Sequence, residues 1–567
     1  MNIRPASLAT ALLLSMSAPA HAAFLHLCPA ASAPAGAPSA PASGADGAEL
    51  RFVVTGAASL PGCRSLDLGA AQVEALHALG RPARPATTIL LQGVDKDGRF
   101  AVSEQTLVPD AEAGAGKGSA SAPPEPMPLR ADLLAGMTLR TYGVEERVQA
   151  QLKDGRLRLA CRAGTRPAGV LLGGPWYLPR ARAALQATFS GSGAFAWQVA
   201  DAAQAARESA FDMGELQAGG KQSSARLALP ARLDRAGWRH FVLACPSTAA
   251  TLALDELMLE PIAPASGAPR STWVWNRDEW RERGDALLDW AAGEKLGELF
   301  IVVTLEEGRV KDPDALAAFV RRARARGILV GAVEGDPHMV LPDHRAATAA
   351  RARAYAAYNA AATPEARLAG VQFDIEPYLL PEHVLPAARL ESEYLATAAA
   401  LREAAGALPL EFVVPFWWDD RRALLDGLAR SADSLAVMDY RTDPGQIVRF
   451  AVPFLDWAAA HGKRVRIALE AGALPAEIQR RYRRTGNGEA GDMLHVTLGG
   501  QQVLVLLRRP LALPGAQAYR LSGTREIDGS ATTFHQDRNA LRALLPRLEA
   551  DFGAWPGFAG IALHEWR

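Results

Sequence analysis

Short runs of alternating hydrophobic and polar residues fill the stretch from residue 129 to residue 262. Typical runs are GRLRLACRAG, AALQATFSGSG, SARLALPARL and TLALDELMLEPI, and turn residues lie between them. Alternation with a period of two places successive side chains on opposite faces of a strand, so that one face can be buried. A succession of such runs predicts an all-β sandwich of the jelly-roll type, which could bind carbohydrate or could serve only as a spacer.

The pattern changes after residue 270 to hydrophobic runs separated by helical segments rich in Ala, Arg and Leu. The hydrophobic runs are STWVWN, ELFIVVTL, GILVGAV, GVQFDIE, LEFVVPFWW, SLAVMDY, RVRIALE and GFAGIAL. Strands that alternate with helices over residues 271–567 predict a C-terminal (β/α)8 TIM barrel. The alternative is a doubly wound open sheet, which usually has fewer strands, and no G-x-G-x-x-G motif follows a strand here.

One β-like stretch, at about residues 491–530, interrupts the rhythm of the barrel. Its Gly499-Gly500 pair predicts a hairpin turn. A long insertion after the seventh strand is expected on the carboxyl-terminal face of the barrel, where the active sites of such barrels are built.

The N-terminus has the features of an export signal. Arg4 precedes a short apolar run, and an Ala-His-Ala motif ends at Ala22, which predicts a signal peptide over residues 1–22. The mature protein is therefore expected in the periplasm or outside the cell. No transmembrane anchor is expected, because no later stretch reaches ~18 uninterrupted apolar residues.

Composition divides the remaining chain into domains and linkers. Stretches rich in Ala, Pro, Ser and Gly predict flexible segments, and a small N-terminal β-containing domain is expected between two of them. The expected order after the signal peptide is a flexible segment at 23–48, the small domain at 49–110, a linker at 111–128, the sandwich at 129–262, a linker at 263–270 and the barrel at 271–567.

Charge and cysteine content narrow the partners and the compartment. Lysine plus arginine and aspartate plus glutamate each number 61, and this balance argues against a nucleic-acid partner. Four cysteines in an exported chain permit two disulfides, and we expect Cys28 to pair with Cys63 and Cys161 with Cys245. A metal site is not expected from them, because no C-x-x-C motif or nearby histidine pair accompanies them.

Acidic and aromatic side chains collect at the ends of the predicted barrel strands. Asp374 and Glu376 end the fourth strand and share one face of it, and Glu470 ends the seventh. These three are the candidate catalytic residues. The candidate substrate-binding residues, also at strand ends, are Trp275, Trp417, Trp418, Asp439, Tyr440, Arg441, His564, Glu565 and Trp566.

Paired carboxylates of this kind suit acid–base chemistry. An aspartate one layer below Glu376 can raise the pKa of that glutamate, as a general acid requires, and glycoside hydrolysis needs a second carboxylate, for which Glu470 is the candidate. The structural alternative is that each acid caps a helix or pairs with an arginine, but several acidic or aromatic strand ends in one layer favour a site. No metal or organic cofactor is expected, since His338, His344, His535 and His564 are scattered.

Two resemblances to glycoside hydrolase families follow from these residues. Gly370, Asp374 and Glu376 resemble the fourth-strand D-G-x-D-x-D-x-E motif of chitinase-type (family 18) enzymes, although Ala369 and Gln372 stand where that family has aspartates. Glu376-Pro377 with Glu470 instead resembles the retaining barrel glycosidases, which implies an acid/base and a nucleophile. The combined pattern is also similar to uncharacterised bacterial secreted barrel proteins.

The sequence thus supports three hypotheses about function. The first is an exported glycoside hydrolase acting on a polysaccharide or oligosaccharide. The second is a non-catalytic carbohydrate-binding or polysaccharide-assembly protein, in which the departures at Ala369 and Gln372 mark a barrel that no longer turns over substrate. The third is another enzyme class on the same scaffold, and no G-x-S-x-G motif supports an esterase.

Overall fold

The computed structural model describes a large part of the chain in separate ranges. These ranges are residues 24–28, 51–55, 64–67, 73–79, 86–96, 99–109, 125–201, 210–229, 238–262, 267–380, 384–474, 476–498, 501–513 and 515–567. The predicted signal peptide, Cys63 and the Gly499-Gly500 turn lie outside them, as does the side chain of Cys28.

Up to Pro261, the described part of the chain contains strands but no α-helix. They are β1 (Phe24–Cys28), β2 (Arg51–Thr55), β3 (Arg64–Asp67), β4 (Val73–Leu79), β5 (Ala86–Lys96), β6 (Arg99–Pro109), β7 (Glu125–Pro126), β8 (Thr138–Gly143), β9 (Val148–Lys153), β10 (Arg156–Cys161), β11 (Ala168–Tyr177), β12 (Ala183–Asp201), β13 (Phe211–Gly219), β14 (Ser223–Ala228), β15 (Trp238–Ala244) and β16 (Ala250–Pro261), with short 3₁₀ turns besides.

Strands and helices alternate in the remainder of the chain. Their order is β17 (Arg270–Val274), α1 (Glu279–Glu282), α2 (Gly284–Gly293), β18 (Leu296–Ile301), β19 (Leu305–Glu306), β20 (Arg309–Val310), α3 (Pro313–Ala325), β21 (Leu329–Glu334), α4 (Arg345–Ala361), β22 (Val371–Phe373), α5 (Ala387–Ala405), β23 (Leu410–Pro415), α6 (Arg422–Leu428), β24 (Ser434–Met438), α7 (Pro444–His461), β25 (Arg464–Glu470), β26 (Glu477–Arg484), β27 (Gly491–Leu498), β28 (Gln501–Leu511), β29 (Gln517–Ile527), α8 (Arg538–Phe552) and β30 (Phe558–His564).

The chain divides into two compact units. The first comprises Met1–Gly118, Pro377–Leu390 and Leu474–Ser530, and the second comprises the remaining segments, Ser119–Glu376, Glu391–Ala473 and Ala531–Arg567. Each unit is thus assembled from segments that are far apart in the sequence.

The first unit is built on a seven-stranded sheet in the order β4-β28-β27-β29-β26-β5-β6. All of its described pairings are antiparallel. One face buries a core that includes Ile89, Leu91, Tyr482, Met493 and Tyr519. A separate three-stranded sheet has the order β2-β1-β3.

The second unit begins with a region that contains β-strands and no α-helix among the described residues, as the sequence predicts. Its strands β7–β16 form one connected ten-stranded sheet. The long strand β12 pairs with β16 and β14 through its first half and with β15 and β13 through its second, which joins the two halves of the sheet. A disulfide links Cys161 to Cys245 with a Cα–Cα distance of 5.7 Å.

Eight further strands of the second unit close into a parallel barrel, and the short strands β19 and β20 pair only with each other. The order around the barrel is β17-β18-β21-β22-β23-β24-β25-β30, and β30 pairs back with β17. These strands are almost wholly buried, which suits their near-continuous apolar sequences. Helix boundaries follow local signals: the Asp443 side chain accepts a hydrogen bond from Gln446 N at the start of α7, and Gly462 ends that helix with a φ of 63°.

The prediction of a regular (β/α)8 TIM barrel is wrong as a fold class. Helices do not alternate one to one with the strands: α1 and α2 both follow the first barrel strand, and four antiparallel strands precede α8 between the seventh and the eighth. More described residues lie in strands than in helices. The unit is a closed all-parallel β-barrel within a chain that is mostly β.

The expectation of a small, separate N-terminal β domain is also corrected. Strands β4 and β5 pair with β28 and β26, so residues near the N-terminus share a sheet with residues 477–527. Hydrophobic periodicity identifies strands, but it does not specify their partners, because pairing is decided by long-range contacts.

The barrel interior contains a layer of charged side chains, which we call the Arg466 network. Arg466 donates hydrogen bonds to Glu298 Oε2 at 2.5 Å, to Glu411 Oε1 at 3.3 Å and to Ser271 Oγ at 2.9 Å. Gln372 donates to Glu411 at 2.6 Å and accepts from the Trp273 indole, so it belongs to this network. Nearly every polar group of the layer is therefore partnered inside the barrel.

Within the described residues, no helix is both long enough and apolar enough to cross a membrane.

Candidate functional site

Strand register brings several of the predicted site residues into one layer at the carboxyl-terminal end of the barrel. Trp273, Phe300, Val333, Ala468 and Ala562 form an apolar cluster inside the barrel. Because side chains alternate across a strand, the residue two positions beyond each inward-facing one also faces inward. Gln372 lies opposite Val333 and Met438 lies opposite Ala468, so these two residues share the inward face. The inward positions that follow include the set we call the mouth layer: Trp275, Asp374, Tyr440, Glu470 and His564.

The mouth layer differs from the layers below it in its accessibility. Trp275, Asp374, Tyr440 and His564 are partly exposed, whereas Glu470, the apolar cluster and the Arg466 network are buried. Glu376, two residues beyond Asp374, is also partly exposed. A ligand that reached the barrel from this end would meet these side chains first.

A chain of hydrogen bonds fixes the orientation of His564. Its Nδ1 lies 2.7 Å from Glu470 Oε2, and its Nε2 lies 3.1 Å from the indole Nε1 of Trp275. An indole N–H can only donate, so Nε2 must accept, and Nδ1 therefore carries the proton donated to Glu470. This geometry describes a neutral imidazole that connects a buried carboxylate to an aromatic ring.

Glu470 is engaged through both of its oxygens. Besides the bond from His564, Oε1 accepts from Gly472 N at 2.6 Å. Burial acts to raise the pKa of Glu470, but the hydrogen bonds from His564 and Gly472 outweigh it and lower that pKa. Gly472 is required here, because a Cβ would lie 2.5 Å from the Cβ of Glu565 and 2.9 Å from Glu470 Oε1.

The surroundings of His564 raise its pKa on balance relative to a free histidine. Burial lowers its pKa, but the hydrogen bond and charge of Glu470, followed by the charges of Glu565 and Asp374, raise that pKa above its ordinary value. Tyr440 stacks on the imidazole with ring centroids 5.9 Å apart and an interplanar angle of 21°. Protonation at Nε2 would replace the acceptor of the Trp275 indole N–H by a second donor, and this hydrogen bond would be lost.

Asp374 is the strongly perturbed acid of the layer. Burial and the neighbouring charge of Glu376 raise the pKa of Asp374 to about 8, against a smaller lowering by His564. Its Oδ1 is buried and has no hydrogen-bond partner among the described residues. The Asp374–Glu376 pair therefore holds a proton at neutral pH and offers an unused hydrogen-bonding group.

A backbone contact holds Asp374 at the end of its strand. Its N–H donates to the carbonyl of Glu334 at 2.7 Å, which continues the pairing of β22 with β21. Tyr394 on α5 is buried near both acids: burial, Asp374 and Glu376 all raise the pKa of its hydroxyl. The tyrosine therefore stays protonated beside the pair.

The other predicted residues lie in different surroundings. Trp418 is buried against Tyr394, with ring centroids 5.2 Å apart, whereas Trp417 is 47 % exposed and packs on Phe416. The Trp566 indole donates to Glu294 at 3.1 Å and lies under two arginine side chains, which hold it beside α8.

Asp439, Arg441 and Glu565 are likewise outside the mouth layer by strand alternation. Asp439 is fully buried, neither of its carboxyl oxygens has a partner among the described residues, and burial raises its pKa well above the ordinary value. Arg441 stacks over Phe416 at 4.4 Å. Glu565 is exposed and has a φ of 49°, which is unusual for a residue other than glycine.

Sequence reasoning missed Trp273 and Tyr394, and it noted Gln372 only as a departure from the chitinase motif. Trp273 contacts His564 edge to face at 5.6 Å, and its indole N–H binds Gln372. The signal for Trp273 was available, because it has the same strand parity as Trp275. No local pattern marks Tyr394, which comes from a helix. Among the described residues, no group of His, Cys, Asp and Glu side chains has an arrangement that could hold a metal ion.

Comparison with known proteins gives weak likenesses only. No protein-family model matches the chain, and no curated protein matches it. One similar solved structure is a point variant of a family 29 carbohydrate-binding module complexed with mannohexaose, 13 % identical, covering 24 % of this chain and 89 % of that one, with a TM-score of 0.19. Another is a variant complexed with cellulohexaose, 10 % identical, covering 22 % and 93 %, with a TM-score of 0.18.

These findings correct the expected family. At such TM-scores the likenesses do not establish a shared fold, and nothing about the ligand of this chain follows from them. The resemblance to chitinase-type or retaining barrel glycosidases is wrong, because it implies a (β/α)8 barrel, whereas the strands of this closed parallel barrel do not alternate one to one with helices. The position of Gln372 gives a physical reason: it is a buried member of the Arg466 network, where the chitinase motif has an aspartate.

Proposed function

We propose that the mouth layer binds a carbohydrate. The observation that carries the proposal is the convergence of the Trp275 ring, held through His564 by Glu470, with Asp374, whose Oδ1 has no partner among the described residues, at the accessible end of the barrel. Ligand sites commonly combine aromatic surface with a few convergent polar groups of this kind.

Each part of this layer suits a different part of a sugar. An aromatic face packs against the C–H surface of a pyranose ring, and a fixed indole loses little conformational freedom when it does so. A buried carboxyl group without a partner can hydrogen-bond to a hydroxyl, and that bond is favourable because the group is already desolvated. Tyr440, stacked on His564, extends the aromatic wall.

The test is calorimetric titration of neutral cello-, manno-, xylo- and chito-oligosaccharides into wild-type protein and Trp275→Ala. We expect at least one oligosaccharide to bind wild type, and the variant to bind it about ten-fold or more weakly, because loss of a stacking ring costs more than ~1 kcal/mol.

Trp417→Ala is the matched control. Trp417 is the more exposed ring but packs on Phe416 rather than on His564, so this variant should bind as wild type does. Equal loss in both variants, or full binding by Trp275→Ala, would remove the mouth layer as the site. Absence of binding for every class of oligosaccharide would count against a carbohydrate ligand.

A second candidate function, cleavage of the bound glycan by general acid–base chemistry, is favoured by the Asp374–Glu376 pair. A carboxyl group with a pKa of about 8 retains a proton that can be transferred to a leaving oxygen, and the adjacent carboxylate can take one up. Glu470, with both oxygens engaged, would in this proposal orient His564 rather than attack substrate.

Product release from the oligosaccharide that binds best distinguishes this candidate from binding alone. Catalysis predicts release by wild type, with a loss of at least about 100-fold in Asp374→Asn and in Glu376→Gln while binding is retained. If wild type binds but releases nothing, the protein is a binding protein. If both variants release product at the wild-type rate, the pair is not catalytic.

A further inference from the structure

A group of exposed arginines lies on one face of the seven-stranded sheet in the first unit. Arg481 and Arg483 are on β26, and Arg520 and Arg525 are on the neighbouring strand β29; all four are exposed. Strand alternation places Arg481 and Arg483 opposite Arg480 and Tyr482, which face the core side. We call the four residues the arginine face.

The pairing of the two strands brings like charges together. Arg483 lies directly opposite Arg520 in the antiparallel register, and Arg525 lies opposite Gln479. Like charges directly opposite one another destabilise a sheet. Among the described residues, Arg481, Arg483 and Arg525 form no ion pair that would relieve this repulsion, and Arg520 donates only to the Ala490 carbonyl.

The centre of the arginine face is open. Gly523 lies opposite Arg481, and a Cβ placed on it would meet nothing within 4 Å. Two strand positions span about 6.5–7 Å, so the guanidinium groups of one strand are spaced to reach successive groups on an extended chain. The surface therefore presents four guanidinium groups around a position that has no side chain.

We propose that the arginine face binds an acidic polysaccharide through its carboxylate groups. The planar guanidinium fork matches a carboxylate with two parallel hydrogen bonds, and every cation of the face is arginine rather than lysine. Single-stranded nucleic acid usually adds aromatic stacking platforms, whereas Tyr482, the aromatic residue of β26, is buried on the opposite face. This inference goes beyond the function proposed for the barrel, and neither depends on the other.

The experiment measures binding of polygalacturonate to the full chain and to the double variant Arg481→Ser/Arg483→Ser at low salt. We expect wild type to bind and the double variant to bind about 5- to 10-fold more weakly. The reason is that two exposed ion pairs between a guanidinium group and a carboxylate of the polymer are lost. High salt should weaken wild-type binding, since these charges are fully screened by solvent ions. Circular dichroism confirms that both proteins are folded.

Arg226→Ser is the matched control, because Arg226 is an exposed strand arginine of the second unit. It should leave binding unchanged, and an equal loss there would show that general charge, not the arginine face, attracts the polymer. The lysine pair Arg481→Lys/Arg483→Lys should bind less tightly than wild type. Failure of wild type to bind polygalacturonate, tighter binding to duplex DNA or to anionic lipid vesicles, or full binding by the serine double variant would each overturn the proposal.

Discussion

Two polar layers lie inside the same barrel, and they differ in how completely their groups are satisfied. In the Arg466 network, arginine, two glutamates, a glutamine and a serine bond to one another away from solvent. In the mouth layer, Asp374 Oδ1 has no partner among the described residues, although Glu470 and His564 are fully engaged.

The difference separates structural polarity from functional polarity. A buried polar group without a partner costs about 1–3 kcal/mol, so a layer that leaves one at the accessible end of a barrel gives up stability. Such a cost is typical of sites that bind ligands, whereas a satisfied network of the same residue types specifies packing. Charge alone would not have separated the two layers.

The largest effect is expected from Arg466→Met. Removal of the guanidinium leaves Glu298 and Glu411 buried without their shared partner, so the free energy of unfolding should fall by about 3–5 kcal/mol. Urea unfolding measures it. Arg464→Met, two residues earlier on the same strand but exposed, is the control and should change stability little. A similar small change in both variants would mean that the network is not structural.

An intermediate effect of opposite sign is expected from Asp374→Asn. The folded state keeps the Asp374 proton up to about pH 8, whereas an unfolded aspartate loses it near pH 4. The folded state therefore binds more protons between these values, and stability falls as pH rises through that window. The asparagine variant should therefore be more stable than wild type at high pH, and this gain should shrink in acid, where both side chains are neutral.

Thermal unfolding over a pH series measures this difference. The exposed Asp343→Asn variant serves as the control and should give no gain that grows with pH. A constant difference between Asp374→Asn and wild type at every pH would contradict the raised pKa. The mouth layer would then not differ from the Arg466 network in this respect, because burial of Asp374 would not lower the stability of the fold.

The smallest effect is expected on the pH dependence of oligosaccharide affinity, through the hydrogen bond between Trp275 and His564. Oligosaccharide affinity should fall several-fold as pH drops through the raised pKa of His564, because the protonated ring can no longer accept from the indole. Stability should change in the other direction: a histidine with a raised folded-state pKa stabilises the fold in acid, and that contribution is lost as pH rises.

Trp275→Phe separates these two consequences. Phenylalanine keeps an aromatic ring but has no N–H, so its affinity should be lower and nearly independent of pH around the His564 titration. Calorimetric titration across pH measures this. An unchanged pH dependence in the variant would show that another group, such as Glu470, Glu565, Asp374 or Tyr440 facing the same imidazole, controls binding.

The sequence anticipated the membership of the mouth layer better than its workings. Asp374, Tyr440, Glu470 and His564 all follow apolar strands, so position alone singled them out. Trp566 and Trp418 follow strands too, yet contacts with Glu294 and Tyr394 hold them in other surroundings. Whether a residue just beyond a strand turns inward depends on how the strand ends, and periodicity stops being informative at that point.

The sequence alone determined where the strands and helices run, because hydrophobic periodicity and caps such as Asp443 act over a few residues. The tertiary structure decided which strands pair, why Gln372 is structural, and that His564 lies between Glu470 and Trp275. It also placed Arg483 opposite Arg520. Those facts join residues tens to hundreds of positions apart, and only closure of the barrel and the sheet brings such residues within hydrogen-bonding distance.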